Sequence, residues 1–157
     1  MSNELKTEFW DRLEDTRAGM LATDGGRAIP MSHYIDRDAN ALWFITAKGT
    51  DLAQVAQSGA AAEYLVSSSN ESLYARIDGR VQAVTDPAKL DELWSAVAAA
   101  WFEDGRKDDD IQLVRMDLKE AEVWATGGSL SFLYEIAKAN VTKEKPDAGD
   151  HGTLHFP

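Results

Sequence analysis

The sequence contains no cysteine among its 157 residues. This absence excludes a disulfide framework, a thiolate zinc site and a cysteine nucleophile. No apolar stretch approaches the roughly 20 residues that a transmembrane helix needs. The first nine residues, MSNELKTEF, include two acids where a secretory signal has an apolar segment. We therefore expect a cytoplasmic protein with no membrane contact.

Basic residues are also few. The chain has 16 Lys and Arg against 27 Asp and Glu, a formal net charge of −11. A nucleic-acid binder needs clustered cations to displace counterions, so this class is excluded as well. The length predicts one domain, residues 1–157, which is large enough to bury about 68–70% of its unfolded surface.

Four segments have apolar residues at helical spacing. The first carries Leu5, Phe9 and Leu13 on one face. Capping residues and the periodic apolar positions predict three further helices, starting at Thr50 and ending near Gly59, running from Asp86 through Pro87 to Trp101, and starting at Ser129 after Gly127-Gly128.

Short apolar runs between these helices predict strands. They cover residues 20–23, 28–35, 42–46, 60–66, 73–85, 111–116 and 121–125, with Asp78-Gly79 interrupting the fifth run. Because most are joined by tight turns, we predict a mainly β (α+β) fold, an antiparallel barrel rather than a doubly wound parallel sheet. Residues 138–150 are predicted to be a polar loop or tail, and residues 153–156 are a candidate last edge strand.

No motif of a catalytic or metal site is evident. Gly25-Gly26 and Gly127-Gly128 lack the spacing of phosphate-binding fingerprints. His151 and His155 stand four apart, but Gly152 between them argues against a helical metal pair. We therefore assign no catalytic residue and no metal ligand.

The most informative loop is residues 46–50, between a predicted strand and a predicted helix. It brings together the hydroxyls of Thr46 and Thr50, one cation, Lys48, and the free N–H groups of a helix start. These groups suit an anion such as a phosphate. The alternative is that Thr50 only caps the helix and Lys48 is only solvated.

Aromatic residues give a second indication. Trp94 and Trp101 lie seven apart on the same predicted helix face, and Phe102 follows at the helix end. Trp94 is predicted to be core. Trp101 and Phe102 have less to pack against in one small domain, which favours contact with a partner subunit or a planar ligand.

The order and spacing of several stretches resemble one family, the general stress protein 26 branch of the pyridoxamine 5′-phosphate oxidase-like flavin-binding split barrels. The stretches are Met20-Leu21-Ala22-Thr23, Gly26-Arg27, Ile29-Pro30-Met31, Leu42-Trp43-Phe44-Ile45-Thr46, Asp78-Gly79-Arg80-Val81, Leu93-Trp94-Ser95, residues 100–105 (AWFEDG) and Val123-Trp124.

The resemblance implies a six-stranded split barrel that forms a homodimer and binds two FMN molecules between its subunits. It implies that the backbone at Pro30 and Met31 faces the flavin ring and that the loop from Thr46 through Lys48 to Thr50 holds the phosphate. The residues Arg27, Phe44, Trp101, Phe102 and Trp124 complete the implied cofactor site, with Trp101, Phe102 and Trp124 reaching it across the interface.

One departure from the family pattern limits the functional prediction. The oxidases of this family carry an Arg-Lys pair after the hydroxyl residue, whereas this chain has Asp51 and Leu52. The chain is therefore not expected to be a true pyridoxamine 5′-phosphate oxidase, and FAD or another flavin stays open beside FMN. Two interpretations remain: an FMN-dependent oxidoreductase with an unidentified substrate, or a non-enzymatic flavin-sequestering or structural dimer.

Overall fold

An antiparallel sheet curled into a half-barrel carries most of the core. The computed structural model describes residues 2–24, 26–94, 105, 109–127, 129–142 and 149–157. In chain order the elements are α1 (Ser2–Asp15), β1 (Ala18–Thr23), β2 (Ile29–Ser32), β3 (Tyr34–Asp36), β4 (Ala41–Ala47), α2 (Asp51–Ser58), β5 (Ala60–Ser68), β6 (Leu73–Val84), α3 (Pro87–Leu93), β7 (Ile111–Thr126), α4 (Ser129–Thr142) and β8 (Gly149–His155).

The sheet order is β2-β1-β5-β6-β7-β4-β3, and β8 pairs with β7. The long strand β7 makes this possible, because residues 111–117 pair with β4 and residues 120–126 pair with β8. The predicted antiparallel fold is confirmed, but the sheet has eight strands rather than six. The extra two arise because the run 28–35 breaks at His33 and because β8 joins the sheet, as expected for the edge strand.

Strands β6 and β7 stay together along their length through a local irregularity at Asp78-Gly79. A Cβ placed on Gly79 would lie 2.2 Å from the Asp117 carbonyl oxygen. Only glycine permits this approach, so the Asp78-Gly79 pair belongs to one continuous strand instead of separating two.

The helices follow the predicted periodicity with two corrections. Leu5, Phe9 and Leu13 of α1 are buried as expected. However, α3 ends at Leu93, since Trp94 has extended backbone angles, so an uninterrupted helix from Asp86 to Trp101 is wrong; residues 95–104 lie outside the described ranges.

The second correction concerns the start of the polar tail. Residues 138–142 belong to α4 rather than to a loop, and residues 143–148 are not among those described. None of the helices described here is long and apolar enough to span a membrane.

The core lies on the inner face of the sheet and under α1. Its largest fully buried side chains are those of Trp10, Tyr64, Phe9 and Phe44. Each strand of the central pair β5 and β6 alternates buried and more exposed residues, as a strand with one covered face does. The outer face is therefore the surface available to ligands or partners.

Candidate functional site

The loop 46–50 has the geometry of a helix cap. Thr50 is the N-cap of α2, and its Oγ1 accepts a hydrogen bond from the Ala53 N–H at 3.1 Å. The same hydroxyl donates to the Ala47 carbonyl at 2.8 Å and lies 3.1 Å from Thr46 Oγ1. A threonine hydroxyl has one proton and two lone pairs, so these contacts use all of it. The capping alternative therefore holds for Thr50.

The groups at this loop that could still bind an anion are backbone N–H groups and the Lys48 side chain. Within the described part of the chain, the N–H groups of Gly49, Asp51 and Leu52 have no backbone acceptor, as expected for the start of a helix. The Lys48 side chain is exposed, and no carboxylate of a described residue lies within ion-pair distance of it. The adjacent Asp51 carboxylate is the unfavourable charge at this site.

A row of exposed apolar residues crosses the outer face of β2, β1 and β5. Met20 pairs with Pro30 on one side and with Leu65 on the other. Met20 and Leu65 are each 40% exposed, and Pro30 is exposed as well. We call these three residues the apolar row. Such an exposed group is typical of a surface that a planar ligand or a partner covers.

Met31 turns its side chain toward the core, and its backbone takes part in a buried polar cluster. The Tyr64 hydroxyl donates to the Met31 carbonyl at 2.9 Å and lies 2.6 Å from His33 Nδ1. His33 Nε2 lies 2.9 Å from the Leu13 carbonyl, so this nitrogen carries a proton. Burial lowers the pKa of His33 and raises the pKa of Tyr64 far above its ordinary value, so both are uncharged.

Sequence reasoning missed this cluster. His33 and Tyr64 are 31 residues apart and belong to no local motif. The one available signal was a lone histidine in an otherwise apolar run, which does not reveal its partner.

Two other candidate residues occupy different environments. Phe44 has no exposed surface and packs edge-to-face on Tyr64 with ring centroids 5.2 Å apart, so it supports the core beneath the site. Arg27 is exposed in the connection between β1 and β2, shortly before Pro30 and Met31 in the sequence.

Trp124 lies near the far end of β7. Its indole stacks on the His151 ring at 4.8 Å with an interplanar angle of 6°, and His151 Nε2 is 3.0 Å from a Glu122 carboxylate oxygen. Thr46 pairs with Gln112 at the other end of the same strand. Positions 112 and 124 are separated by about 40 Å of strand at roughly 3.3 Å per residue.

The structure thus brings Thr46, Lys48 and Thr50 together in one loop. It places Met31 on β2 next to Pro30, which belongs to the apolar row. It sets Trp124 apart from the loop along β7, and three strands, β1, β5 and β6, separate β7 from β2 in the sheet. Trp101 and Phe102 lie outside the described residues. In the ranges that are described, no cluster of three or more His, Asp or Glu side chains could hold a metal ion.

Comparison with known proteins agrees with this architecture. The family model described as pyridoxamine 5′-phosphate oxidase like matches residues 4–147. No curated protein matches the sequence. The structure of a general stress protein 26 from Jannaschia sp. CCS1 is similar with 50% identity and a TM-score of 0.92, covering 98% of this chain and 99% of that one.

Two further solved structures extend the comparison. The general stress FMN/FAD binding protein of Xanthomonas citri has 35% identity and a TM-score of 0.73, with 81% of this chain and 92% of that chain covered. General stress protein 26 of Bacillus anthracis, at 15% identity and a TM-score of 0.68, shares the fold over 76% of this chain and 93% of its own. The half-barrel is the split-barrel fold of these structures. The chain therefore belongs to the pyridoxamine 5′-phosphate oxidase-like family, in its general stress protein 26 branch.

Proposed function

We propose that this protein binds a flavin, with FMN preferred, in grooves between two copies of the chain. The observation that carries the proposal is the loop 46–50 together with the first turn of α2. There, Lys48 and the first N–H groups of the helix leave several donors available to a phosphate. The name of the 35%-identical Xanthomonas citri structure, an FMN/FAD binding protein, supports the same ligand class.

The ring of the flavin would lie on the outer face of β2, against the backbone at Pro30 and beside the apolar row. An apolar wall with a few polar groups is what a cofactor site generally provides. Exposed Arg27 lies in the connection that leads into β2. Trp124 would belong to the site built mainly by the other copy, because its own β7 carries it away from Thr46.

The fit of the phosphate is the most demanding part of the proposal. A helix N-terminus favours an anion by about 0.3–1 kcal/mol, and up to about 2 when partly buried. A charge-assisted hydrogen bond from Lys48 adds roughly 1.5–3 kcal/mol. Asp51 opposes both, so Lys48 decides whether FMN binds better than riboflavin.

A bound flavin would supply electron or hydride transfer, and the protein would hold the ring and limit its contact with water. We assign no histidine as an acid or base of the site. His33 is buried and hydrogen-bonded, while His151 and His155 contact Glu122 and Glu120 on the β7–β8 surface. This favours flavin sequestration as the second candidate function beside a flavin-dependent oxidoreductase.

The test is a visible spectrum of the untagged purified protein, followed by titration of the flavin-free form with FMN, FAD and riboflavin. We expect flavin absorption or binding, with FMN about tenfold or more tighter than riboflavin. A colourless protein that binds none of the three at tens of micromolar contradicts the proposal. Reduction of the bound flavin by NADH or NADPH, with turnover on an electron acceptor, separates the oxidoreductase from the sequestering protein.

A further inference from the structure

We infer that Tyr64 is a positioning residue for the flavin ring: with His33 it fixes the Met31 carbonyl and thereby the backbone of β2. The inference rests on the proposed function, since β2 is the strand on which the ring would lie. Its structural basis is the hydrogen bonds that the Tyr64 hydroxyl makes at the end of β2.

Tyr64 reaches β2 from a strand that is not its neighbour. It lies on β5, and β1 separates β5 from β2 in the sheet. Its side chain crosses the inner face of β1 to contact Met31, which is the cross-strand partner of Gly19. The phenol therefore ties together three strands that the backbone ladder joins only in pairs.

Gly19 leaves the passage for this side chain. A Cβ on Gly19 would lie 2.7 Å from the Tyr64 ring carbon Cζ and 3.0 Å from its hydroxyl. It would also lie 2.6 Å from the Leu65 carbonyl oxygen. Real Cβ atoms essentially never approach so closely. The observed position of the Tyr64 side chain therefore requires glycine at position 19.

The strand β2 needs such an anchor. It has four residues and stands at the end of the sheet path, and among the described strands it is hydrogen-bonded only to β1. Pro30 in its middle has no N–H to donate. Each of the two acceptors that Tyr64 meets, the Met31 carbonyl and His33 Nδ1, flanks Ser32, where β2 ends. The phenol thus contacts the strand end on both sides and shares its one proton between the two acceptors.

The charge state of the cluster keeps it a hydrogen-bonded anchor. The Tyr64 phenol stays protonated, because burial raises its pKa. The Leu13 carbonyl faces His33 Nε2 from α1, and burial keeps the ring neutral. The neutral His33 ring carries its one proton on Nε2, so Nδ1 is an acceptor, and the single phenol proton is shared between Nδ1 and the Met31 carbonyl.

The experiment compares Tyr64→Phe with Ile77→Val. The first change removes one oxygen atom from the cluster. The second shortens a fully buried side chain directly opposite Tyr64 on β6. Each should lower the free energy of unfolding by a similar, small amount, so the pair is matched in stability.

We expect Tyr64→Phe to weaken FMN and riboflavin alike, by about three- to tenfold, because both ligands carry the ring. In the flavin-free protein, the amide protons of Ile29, Met31 and Ser32 should exchange faster with solvent. Ile77→Val should alter neither the affinities nor the exchange at β2. His33→Gln, which removes the Nδ1 contact, should give a smaller loss in the same direction.

Unchanged binding of both flavins by Tyr64→Phe and His33→Gln, with stability lowered as in Ile77→Val, would mean that Tyr64 is a core residue only. In that case flavin binding by the wild-type protein still supports the proposed function. If the wild-type protein binds no flavin, the proposed function and this inference fall together.

Discussion

At the scale of single residues, Thr50 shows that one local motif suits both a helix cap and a ligand site. The sequence places its hydroxyl beside a helix start, where it suits both a cap and a phosphate. In the structure the Thr50 hydroxyl caps the helix, and its contacts with Ala47, Ala53 and Thr46 use all three of its hydrogen-bonding positions. A phosphate at this loop depends on Lys48 and on backbone N–H groups.

Replacing Lys48 with Ala is therefore expected to weaken FMN by about ten- to a hundredfold, since about 1.4 kcal/mol is a factor of ten. Riboflavin has no phosphate, so its affinity should stay nearly the same. Lys138→Ala is the matched control, because it removes the same charge from an exposed site on α4. Titration of both ligands by flavin fluorescence measures these effects.

Equal losses for FMN and riboflavin in Lys48→Ala would show that Lys48 is not a phosphate ligand. A loss of FMN affinity in Lys138→Ala of the same size would point instead to the net charge of the whole protein. Either result removes the loop 46–50 from the proposed site.

At the scale of helices and strands, most elements could be predicted because their signals are local. The apolar spacing of Leu5, Phe9 and Leu13, and the caps at Thr50 and Asp86, predict the starts or faces of α1, α2 and α3, and the structure agrees. Register and strand ends are different, since they depend on partners far along the chain. Hence the end of α3 at Leu93 and the single strand β7 were not predicted.

The irregularity at Asp78-Gly79 is the clearest example of such a long-range cause. Read locally, the pair looks like a turn between two strands. The structure keeps it inside β6, because the glycine allows the backbone of β7 to approach at Asp117. The sequence contains the glycine but not the neighbour that requires it.

Gly79→Ala is accordingly expected to lower the free energy of unfolding by about 1–3 kcal/mol, the usual cost of overpacking. A Cβ there would meet the Asp117 carbonyl at 2.2 Å, and a backbone atom cannot move aside as a flexible side chain does. Gly49→Ala is the control, since no atom lies within 4 Å of its added Cβ. Urea denaturation of both variants measures the difference, and equal midpoints would contradict this account of the strand.

At the scale of the whole molecule, the candidate site could be predicted only in parts. The proposed phosphate loop is local and can be identified in the sequence, whereas the proposed site also includes residues that lie far apart in one chain. Gln112, the cross-strand partner of Thr46, and Trp124 stand near opposite ends of β7, and the apolar row lies on strands beyond β6. A second copy of the chain is the simplest way to bring such groups to one ligand.

The exposed surface of the apolar row also favours contact with a second copy of the chain. Met20, Pro30 and Leu65 lie side by side across three strands, with Met20 and Leu65 each 40% exposed. A stable homodimer typically buries about 2,000 Å² or more in total, and this face is where we expect part of that area.

The wild-type protein should therefore sediment as a dimer at tens of micromolar, and Met20→Glu should weaken dimerisation by about tenfold or more. The reason is that an unpaired carboxylate would be buried in the centre of the apolar row, where its loss of hydration is not compensated. Val141→Glu is the matched control: Val141 is 82% exposed on α4, so the same added charge remains in solvent there and the dimer should persist. Because a dimer is stabilised by mass action, the unfolding midpoint should also rise with protein concentration in the wild type.

A wild-type monomer at these concentrations would contradict the dimer itself. A Met20→Glu protein that dimerises as tightly as Val141→Glu would instead place the interface on another face of the half-barrel.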